Sequence, residues 1–183
     1  MPAAGEWTTD DLDALLQDGR RRELLDGALI LPPAPRPEHQ NITARLAVAL
    51  AAGSPAHLDV TEAVQVRISR RRAFVPDVLA YRYEAAMGDR SHFTPDDVVL
   101  AVEVVSDGST ALDRILKPAV YAEAGIAHYW RVETEPGIVV HTYRLDTQTT
   151  TYRSTGAFAR HLDVTEPWPI ALDLNRLRAP RAS

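Results

Sequence analysis

Residues 98–105 read Val-Val-Leu-Ala-Val-Glu-Val-Val, and this stretch decides the fold. Its side chains are apolar on both faces of a strand, as expected of a central strand that is covered from both sides. The exception is Glu103. An ionised carboxylate in an apolar interior costs several kcal/mol unless it is paired or binds a metal ion. Glu103 is therefore a candidate functional residue in the middle of the predicted sheet.

A second isolated carboxylate, Asp77, stands in the preceding apolar segment. Residues 74–81 predict a strand, and alternation puts Asp77 on the face of Val75 and Leu79. If this strand is a neighbour of the Glu103 strand, both carboxylates reach one site near the strand ends. With water and a substrate phosphate they form the hard-oxygen shell that Mg²⁺ prefers. The alternative is that each acid is satisfied within the sheet, by a turn or by an arginine.

The segment after the Glu103 strand has helical spacing over residues 112–124 and ends at Gly125. Asp113, Lys117 and Tyr121 share one face at four-residue spacing. Lys117 could return over the strand end and stabilise charge on an attacked phosphate. A surface ion pair with Asp113 is the alternative. The stripe predicted to pack against the sheet is Leu112, Ile115, Leu116 and Ala119.

Pro118 predicts that this helix is kinked or restarts beside Lys117, because proline lacks the amide hydrogen that a helix interior uses. A turn is expected at residues 106–110.

The remaining patterns complete a mixed α/β sheet domain that we expect to span residues 1–183 as one unit. Asp26-Gly27 between apolar stretches predicts an N-terminal hairpin, and residues after Gly125 predict antiparallel strands. Helices are expected at residues 8–16 and 37–52, and strands at residues 60–68, 127–133, 138–145, 149–154 and 168–174.

Composition excludes several classes of site. The 183 residues contain no cysteine, which rules out disulfides and thiolate metal sites, and the net charge of −5 gives no global attraction to nucleic acid. The basic runs at residues 20–22 and 70–72 could supply phosphate contacts or form a solvated surface. The N-terminus lacks a leader pattern, so we expect a cytoplasmic location.

These residues resemble the Uma2 family of restriction-endonuclease-like proteins, over about residues 8–175. The stretches that carry the resemblance are Arg22-Glu23-Leu24-Leu25-Asp26-Gly27, Pro37-Glu38-His39-Gln40, Val75-Pro76-Asp77-Val78, Val102-Glu103-Val104-Val105-Ser106, Asp113, Lys117, Tyr121-Ala122-Glu123-Ala124-Gly125-Ile126 and Tyr129-Trp130.

The resemblance implies a restriction-endonuclease-like PD-(D/E)XK core, Mg²⁺ (or Mn²⁺) as cofactor, and hydrolysis of DNA phosphodiester bonds. The lysine of that motif would stand at position 105, which is Val105 here, and the resemblance nominates Lys117 on the following helix instead. Asp77, Glu103 and the backbone carbonyl of Val104 would ligate the metal. Asp113 would orient Lys117.

Other acids are open candidates. Glu38 and His39 begin a predicted helix, where nucleases of this class often add an acid, although Glu38 would also suit the first turn by its charge. Glu23 and Glu62 are either strand residues or site contributors. The rival interpretation is a non-catalytic binding or scaffold protein that keeps the nuclease fold. The aromatic C-terminal strands offer surfaces for a homodimer.

Overall fold

A computed structural model describes residues 2–15, 18–105 and 112–178. The helices are α1 (Thr9–Asp13), α2 (Pro37–Gly53) and α3 (Lys117–Glu123). The strands are β1 (Glu23–Leu25), β2 (Ala28–Ile30), β3 (Leu58–Glu62), β4 (Gln65–Ser69), β5 (Arg72–Phe74), β6 (Val78–Arg82), β7 (His92–Phe93), β8 (Val98–Val104), β9 (His128–Glu133), β10 (Val139–Asp146), β11 (Thr151–Phe158), β12 (His161–Val164) and β13 (Ile170–Asp173). Short 3-10 turns cover Tyr83–Met87, Pro95–Asp97 and Leu174–Leu177, and a π-helical turn covers Leu112–Leu116.

A six-stranded mixed sheet in the order β11-β10-β9-β8-β6-β3 forms the centre of the molecule. Strand β8 pairs antiparallel with β6 and parallel with β9, and α3 makes the crossover that a parallel pair requires. The mixed α/β fold class is therefore confirmed, including the central position of β8.

Two apolar cores cover the two faces of this sheet. On one face α2 packs through Ile42, Leu46 and Leu50. On the other face lie α3 and a five-stranded sheet in the order β2-β1-β5-β4-β7. Ala101 belongs to the core under α3, and Val102 belongs to the core under α2. Glu103, one residue further along β8, thus faces the α3 side.

The predicted N-terminal hairpin is present as β1 and β2. Asp26 and Gly27 have φ angles of +51° and +84°, the left-handed pair that a tight two-residue hairpin turn requires. This hairpin belongs to the small sheet, because β1 also pairs with β5 at Leu24 and Ala73. It brings the residues just before β1 toward the end of β8.

Two strand predictions were wrong in their bounds. Residues 60–68 are divided between β3 in the large sheet and β4 in the small sheet. The chain turns between them at Ala63, whose φ of +53° breaks the extended conformation. Residues 74–81 are likewise divided between β5 and β6, and Pro76 lies in the break, where no ladder hydrogen bond is needed. Asp77 consequently lies just before β6.

The helix predicted at residues 112–124 is a π-helical turn followed by α3, so it restarts at Lys117 with Pro118 in the first turn. The predicted packing stripe was wrong, since Ile115 and Leu116 are 67% and 42% exposed. The buried face holds Lys117, Val120 and Tyr121 instead. A π turn adds one residue per turn and so changes which residues of the following helix face the sheet. The turn expected at residues 106–110 lies outside the described residues.

The C-terminal extension is antiparallel, as predicted. Strands β9, β10 and β11 form a meander, and β13 pairs with β12, a strand that the sequence pattern did not reveal. Among the described residues no helix combines the length and the apolar character needed to cross a bilayer.

Substitution Gly27→Ala should destabilise the protein by about 1 to 3 kcal/mol, because a side chain at positive φ is strained. A Cβ at this position would also lie 2.5 Å from the carbonyl oxygen of Gly5. Urea unfolding would measure the loss. Gly137→Ala is the matched control, since a Cβ there meets no atom within 4 Å. Equal stability of the two variants would contradict this account of the hairpin.

Candidate active site

Four charged residues lie buried together at the carboxyl end of β8. Glu23 and Glu103 have 0% of their surface exposed, Lys117 has 2% and Asp77 has 4%. Charged groups at such depth must compensate one another, because an unpaired charge in the interior is strongly destabilising. We call Glu23, Asp77, Glu103 and Lys117, with Arg21 and His39 that contact them, the buried centre.

Asp77 is held against the last residue of β8. Its Oδ2 accepts a hydrogen bond of 2.7 Å from the backbone N–H of Val104, and its Oδ1 accepts one of 2.6 Å from Nη1 of Arg21. Its own backbone N–H donates to the carbonyl of Val102. The break before β6 therefore aims this carboxylate at the strand end where Glu103 lies.

Glu103 is bound by the helix that follows it. Its Oε1 accepts a hydrogen bond of 2.8 Å from the hydroxyl of Tyr121, and Nζ of Lys117 lies 3.1 Å from Oε2. Nη2 of Arg21 is 3.8 Å from the same Oε2. Lys117 and Tyr121 are four residues apart, so one face of α3 provides both contacts.

Lys117 bridges two carboxylates. Its Nζ lies 3.0 Å from Oε1 of Glu23 and 3.1 Å from Oε2 of Glu103. The same ammonium is 5.8 Å from the centroid of the Phe74 ring, within the range of a cation–π contact. Lys117 is 2% exposed, so it is not the surface residue that the alternative interpretation, an exposed ion pair with Asp113, required.

Glu23, on β1, brings a third carboxylate into the buried centre. Its Oε1 accepts a hydrogen bond of 3.0 Å from the backbone N–H of Val75 in addition to the Lys117 contact. Its Oε2 is buried, and no donor among residues 2–15, 18–105 and 112–178 reaches it. A buried carboxylate oxygen with unused lone pairs is a ready acceptor for a cation or a water molecule.

His39, in the first turn of α2, approaches from the opposite face of the sheet. Its Nε2 donates to the carbonyl oxygen of Val104 at 3.0 Å and lies 3.3 Å from Oδ2 of Asp77. Burial alone would lower the pKa of His39, but the Asp77 carboxylate and the Val104 carbonyl raise it above its ordinary value. Protonated His39 is thus favoured by the acid beside it.

Opposite charges also control the pKa of Asp77. Burial by itself would raise that pKa, but the hydrogen bond from His39 and the positive charge of Arg21 hold it well below its usual range. Asp77 is therefore ionised over the whole physiological range. Burial and the charge of Glu103 raise the pKa of Tyr121 well above its ordinary value, so its hydroxyl remains a hydrogen-bond donor.

The other predicted acids lie elsewhere. Glu38 is exposed and pairs with Nε of Arg178 at 2.9 Å, so the structure does not bring it to the buried centre. Glu62 is exposed at the end of β3, on the wall of the adjoining cavity. The side chain of Asp113 lies outside the described part of the structure.

The two arginine runs have different environments. In the first, Arg21 enters the buried centre, whereas Arg20 and Arg22 pair with Asp18. In the second, residues 70–72 are bound by acids and carbonyls of the N-terminal segment and α3. The second run is therefore a paired surface rather than an open basic patch.

A cavity of about 1070 Å³ adjoins the buried centre. Its wall includes Glu23, Asp77, Glu103 and Lys117. Arginines surround these acids on the same wall: Arg20, Arg21, Arg22, Arg36 and Arg67. The cavity therefore combines acidic side chains in its depth with guanidinium groups around them.

Comparisons with known proteins show the family of this chain and a protein of similar fold. The family model of Uma2, described as "Putative restriction endonuclease", matches residues 9–175. The chain belongs to the Uma2 family. Its fold is similar to that in the crystal structure of a protein from Anabaena variabilis ATCC 29413, which is described as a putative nuclease belonging to DUF820. The two structures superpose with a TM-score of 0.67 and 15% sequence identity, over 93% of this chain and 96% of that one. The search of curated proteins gave no match.

The sequence pattern of this Uma2 chain did not reveal that Arg21 and Glu23 belong to the buried centre. Both precede or begin β1, and only the folded hairpin brings them to residues more than fifty positions away. A usable signal was present for Lys117, which is the only lysine among the 20 lysine and arginine residues of the chain. The one lysine of the sequence therefore lies in the buried centre.

Neutralising Lys117 should destabilise the protein strongly, because Glu23 and Glu103 would be left buried without their shared counter-charge. We expect Lys117→Met to lower the free energy of unfolding by about 3 to 5 kcal/mol in urea denaturation. Adding Glu23→Gln should recover part of the loss. Arg114→Met, which removes the exposed pair with Glu133, is the control and should cost at most about 1 kcal/mol. Similar losses for both single variants would refute the compensation of charge.

The stabilising contribution of His39 should depend on pH. A group whose pKa is raised by folding stabilises the folded state fully at any pH below its pKa in the unfolded chain, which for histidine is about 6.5. It loses that stabilising contribution as the pH rises through its pKa in the folded state. The difference in unfolding free energy between the wild type and His39→Gln should thus be larger at about pH 5.5 than at about pH 8.5. Urea unfolding in EDTA would measure it, and a difference that grows with pH would contradict the assignment.

Proposed function

We propose that this chain is a Mg²⁺-dependent endonuclease that hydrolyses phosphodiester bonds of DNA, with Mn²⁺ as an alternative ion. The observation that supports this most directly is the convergence of Asp77, Glu103 and Lys117 in one buried centre at the end of β8, in a chain of the Uma2 family. Carboxylates that can hold a divalent ion and an ammonium that can offset charge on the phosphate suit metal-assisted phosphodiester hydrolysis.

The donor atoms of the buried centre suit Mg²⁺ by their chemistry. Asp77, Glu103 and the carbonyl of Val104 are hard oxygen donors, and the unused Oε2 of Glu23 adds another. Within residues 2–15, 18–105 and 112–178, no three acidic or histidine side chains already stand close enough to share one ion. The carboxylates surround the guanidinium of Arg21 instead. Metal binding therefore requires the carboxylates to move closer together.

Each residue has a distinct role in the proposal. Asp77, Glu103 and the Val104 carbonyl hold the metal, which when bound supplies Lewis-acid activation of water and of the phosphate. Lys117, fixed by two glutamates, positions the attacking water and offsets charge on the phosphate. Asp113 orients Lys117, and His39 holds Asp77 against the end of β8. Glu38, paired with Arg178, has no contact with these residues among those described.

The rival function, a non-catalytic binding or self-associating scaffold protein with a nuclease fold, is favoured by one observation. The carboxylates of the buried centre are in ion pairs with Arg21 and Lys117, which is how a purely structural network would look. The net charge of −5 points the same way. The two functions differ in one measurable property, namely whether the centre binds a divalent ion.

Plasmid cleavage tests the proposal. The wild type should convert supercoiled plasmid to nicked or linear forms with Mg²⁺ and not with EDTA. Asp77→Asn keeps the size of the side chain and should lower the rate by at least about 100-fold, because a metal ligand is lost. Asp59→Asn, which removes the carboxylate that accepts from the Tyr81 hydroxyl, is the matched control and should cleave like the wild type. Cleavage that persists in EDTA would contradict the metal dependence, and the absence of both cleavage and metal binding in calorimetry would favour the rival.

A further inference from the structure

The guanidinium of Arg21 stands where a metal ion would have to stand. Its Nη1 is 2.6 Å from Oδ1 of Asp77, its Nη2 is 3.8 Å from Oε2 of Glu103, and its Nε is 3.5 Å from Oε1 of Glu23. Three carboxylates from three separate segments thus converge on one cation. An ion bound to Asp77 and Glu103 would need oxygen distances near 2.1 Å, in space that this group fills.

The balance of charge also indicates that an ion at this position would have to replace Arg21. Among the residues of the buried centre, three carboxylates face two permanent cations, Arg21 and Lys117. A divalent ion added beside both cations would be repelled by each of them in a poorly screened interior. If the ion takes the place of Arg21, the two charges of the ion and the one of Lys117 balance the three carboxylates when His39 donates to the Val104 carbonyl as a neutral imidazole.

Arg21 also has a route out of the centre. It lies in the loop before β1, two residues after Gly19, whose surroundings are open. Its side chain is 25% exposed, whereas those of Glu23, Asp77 and Lys117 are at most 5% exposed. It lines the cavity beside the buried centre together with Arg20 and Arg22. A change of rotamer would therefore suffice to carry the guanidinium into the cavity.

We propose that Arg21 and the divalent ion are alternative occupants of the position between Asp77 and Glu103, and that metal binding turns Arg21 into the cavity, where it contacts the substrate phosphate. The inference rests on the proposed metal-dependent function. Arg21 is a positioning residue in it: the guanidinium keeps the carboxylates apart and compensated before the ion binds. Afterwards its planar group offers paired N–H donors to a phosphodiester.

Isothermal titration calorimetry with Mn²⁺ tests the exchange. Arg21→Gln should bind Mn²⁺ about tenfold more tightly than the wild type, because the competing cation is gone. Arg22→Gln is the matched control, since Arg22 lines the same cavity but pairs with Asp18, and should bind like the wild type. Equal or weaker binding by Arg21→Gln overturns the inference while leaving the proposed function intact. Absence of Mn²⁺ binding by all three proteins overturns both.

The first of two further measurements uses the wild type and so covers the case in which Arg21→Gln folds poorly; the second tests the contact with phosphate. In the wild type, the Nε–H signal of Arg21, assigned with Arg21→Lys, should shift and exchange faster with water as Mg²⁺ is added. A signal that stays unchanged when Mg²⁺ is bound overturns the exchange. Fluorescence anisotropy with a labelled DNA oligonucleotide in Ca²⁺ should give several-fold weaker binding for Arg21→Gln than for Arg22→Gln. Equal binding overturns the contact with phosphate.

Discussion

Compensation of buried charge is the constraint on which the rest of this structure depends. Glu23 and Glu103 have no exposed surface, and the ammonium of Lys117 contacts both. Such a network is costly unless every member finds partners, so the surrounding elements must meet with little freedom. The hairpin, the start of α2, the break before β6, the end of β8 and the start of α3 all supply those partners.

This constraint explains several local irregularities. The chain leaves its extended conformation between β5 and β6, and this break puts Asp77 within reach of the backbone N–H of Val104. A π-helical turn precedes α3, and the helix then buries Lys117 and Tyr121 rather than its apolar neighbours. Departures from regular geometry are common where a functional site is built, since they aim side chains that a regular element would turn away.

The sequence predicted what local pattern and isolated charge can reveal. The apolar stretch around Glu103 identified the central strand, and Asp26-Gly27 identified the hairpin. Periodicity failed at residues 60–68, because the pattern continues through Ala63 while the backbone does not. It also failed for the buried face of α3, since the polar partners of Lys117 belong to distant segments. Arg21 and Glu23 were underestimated for the same reason: their contacts are set by the tertiary fold.

The single lysine has a consequence for chemical labelling of this protein. Lys117 is the only lysine in the sequence, and its side chain is 3% exposed. A reagent that acylates amines therefore has one side-chain target besides the N-terminal α-amine, and that side chain is protected while α3 and the hairpin stay together. The rate of acylation would report local opening of this region directly, without an engineered probe. Acylation of Lys117 is thus a chemical reporter at the site where the function is proposed to lie.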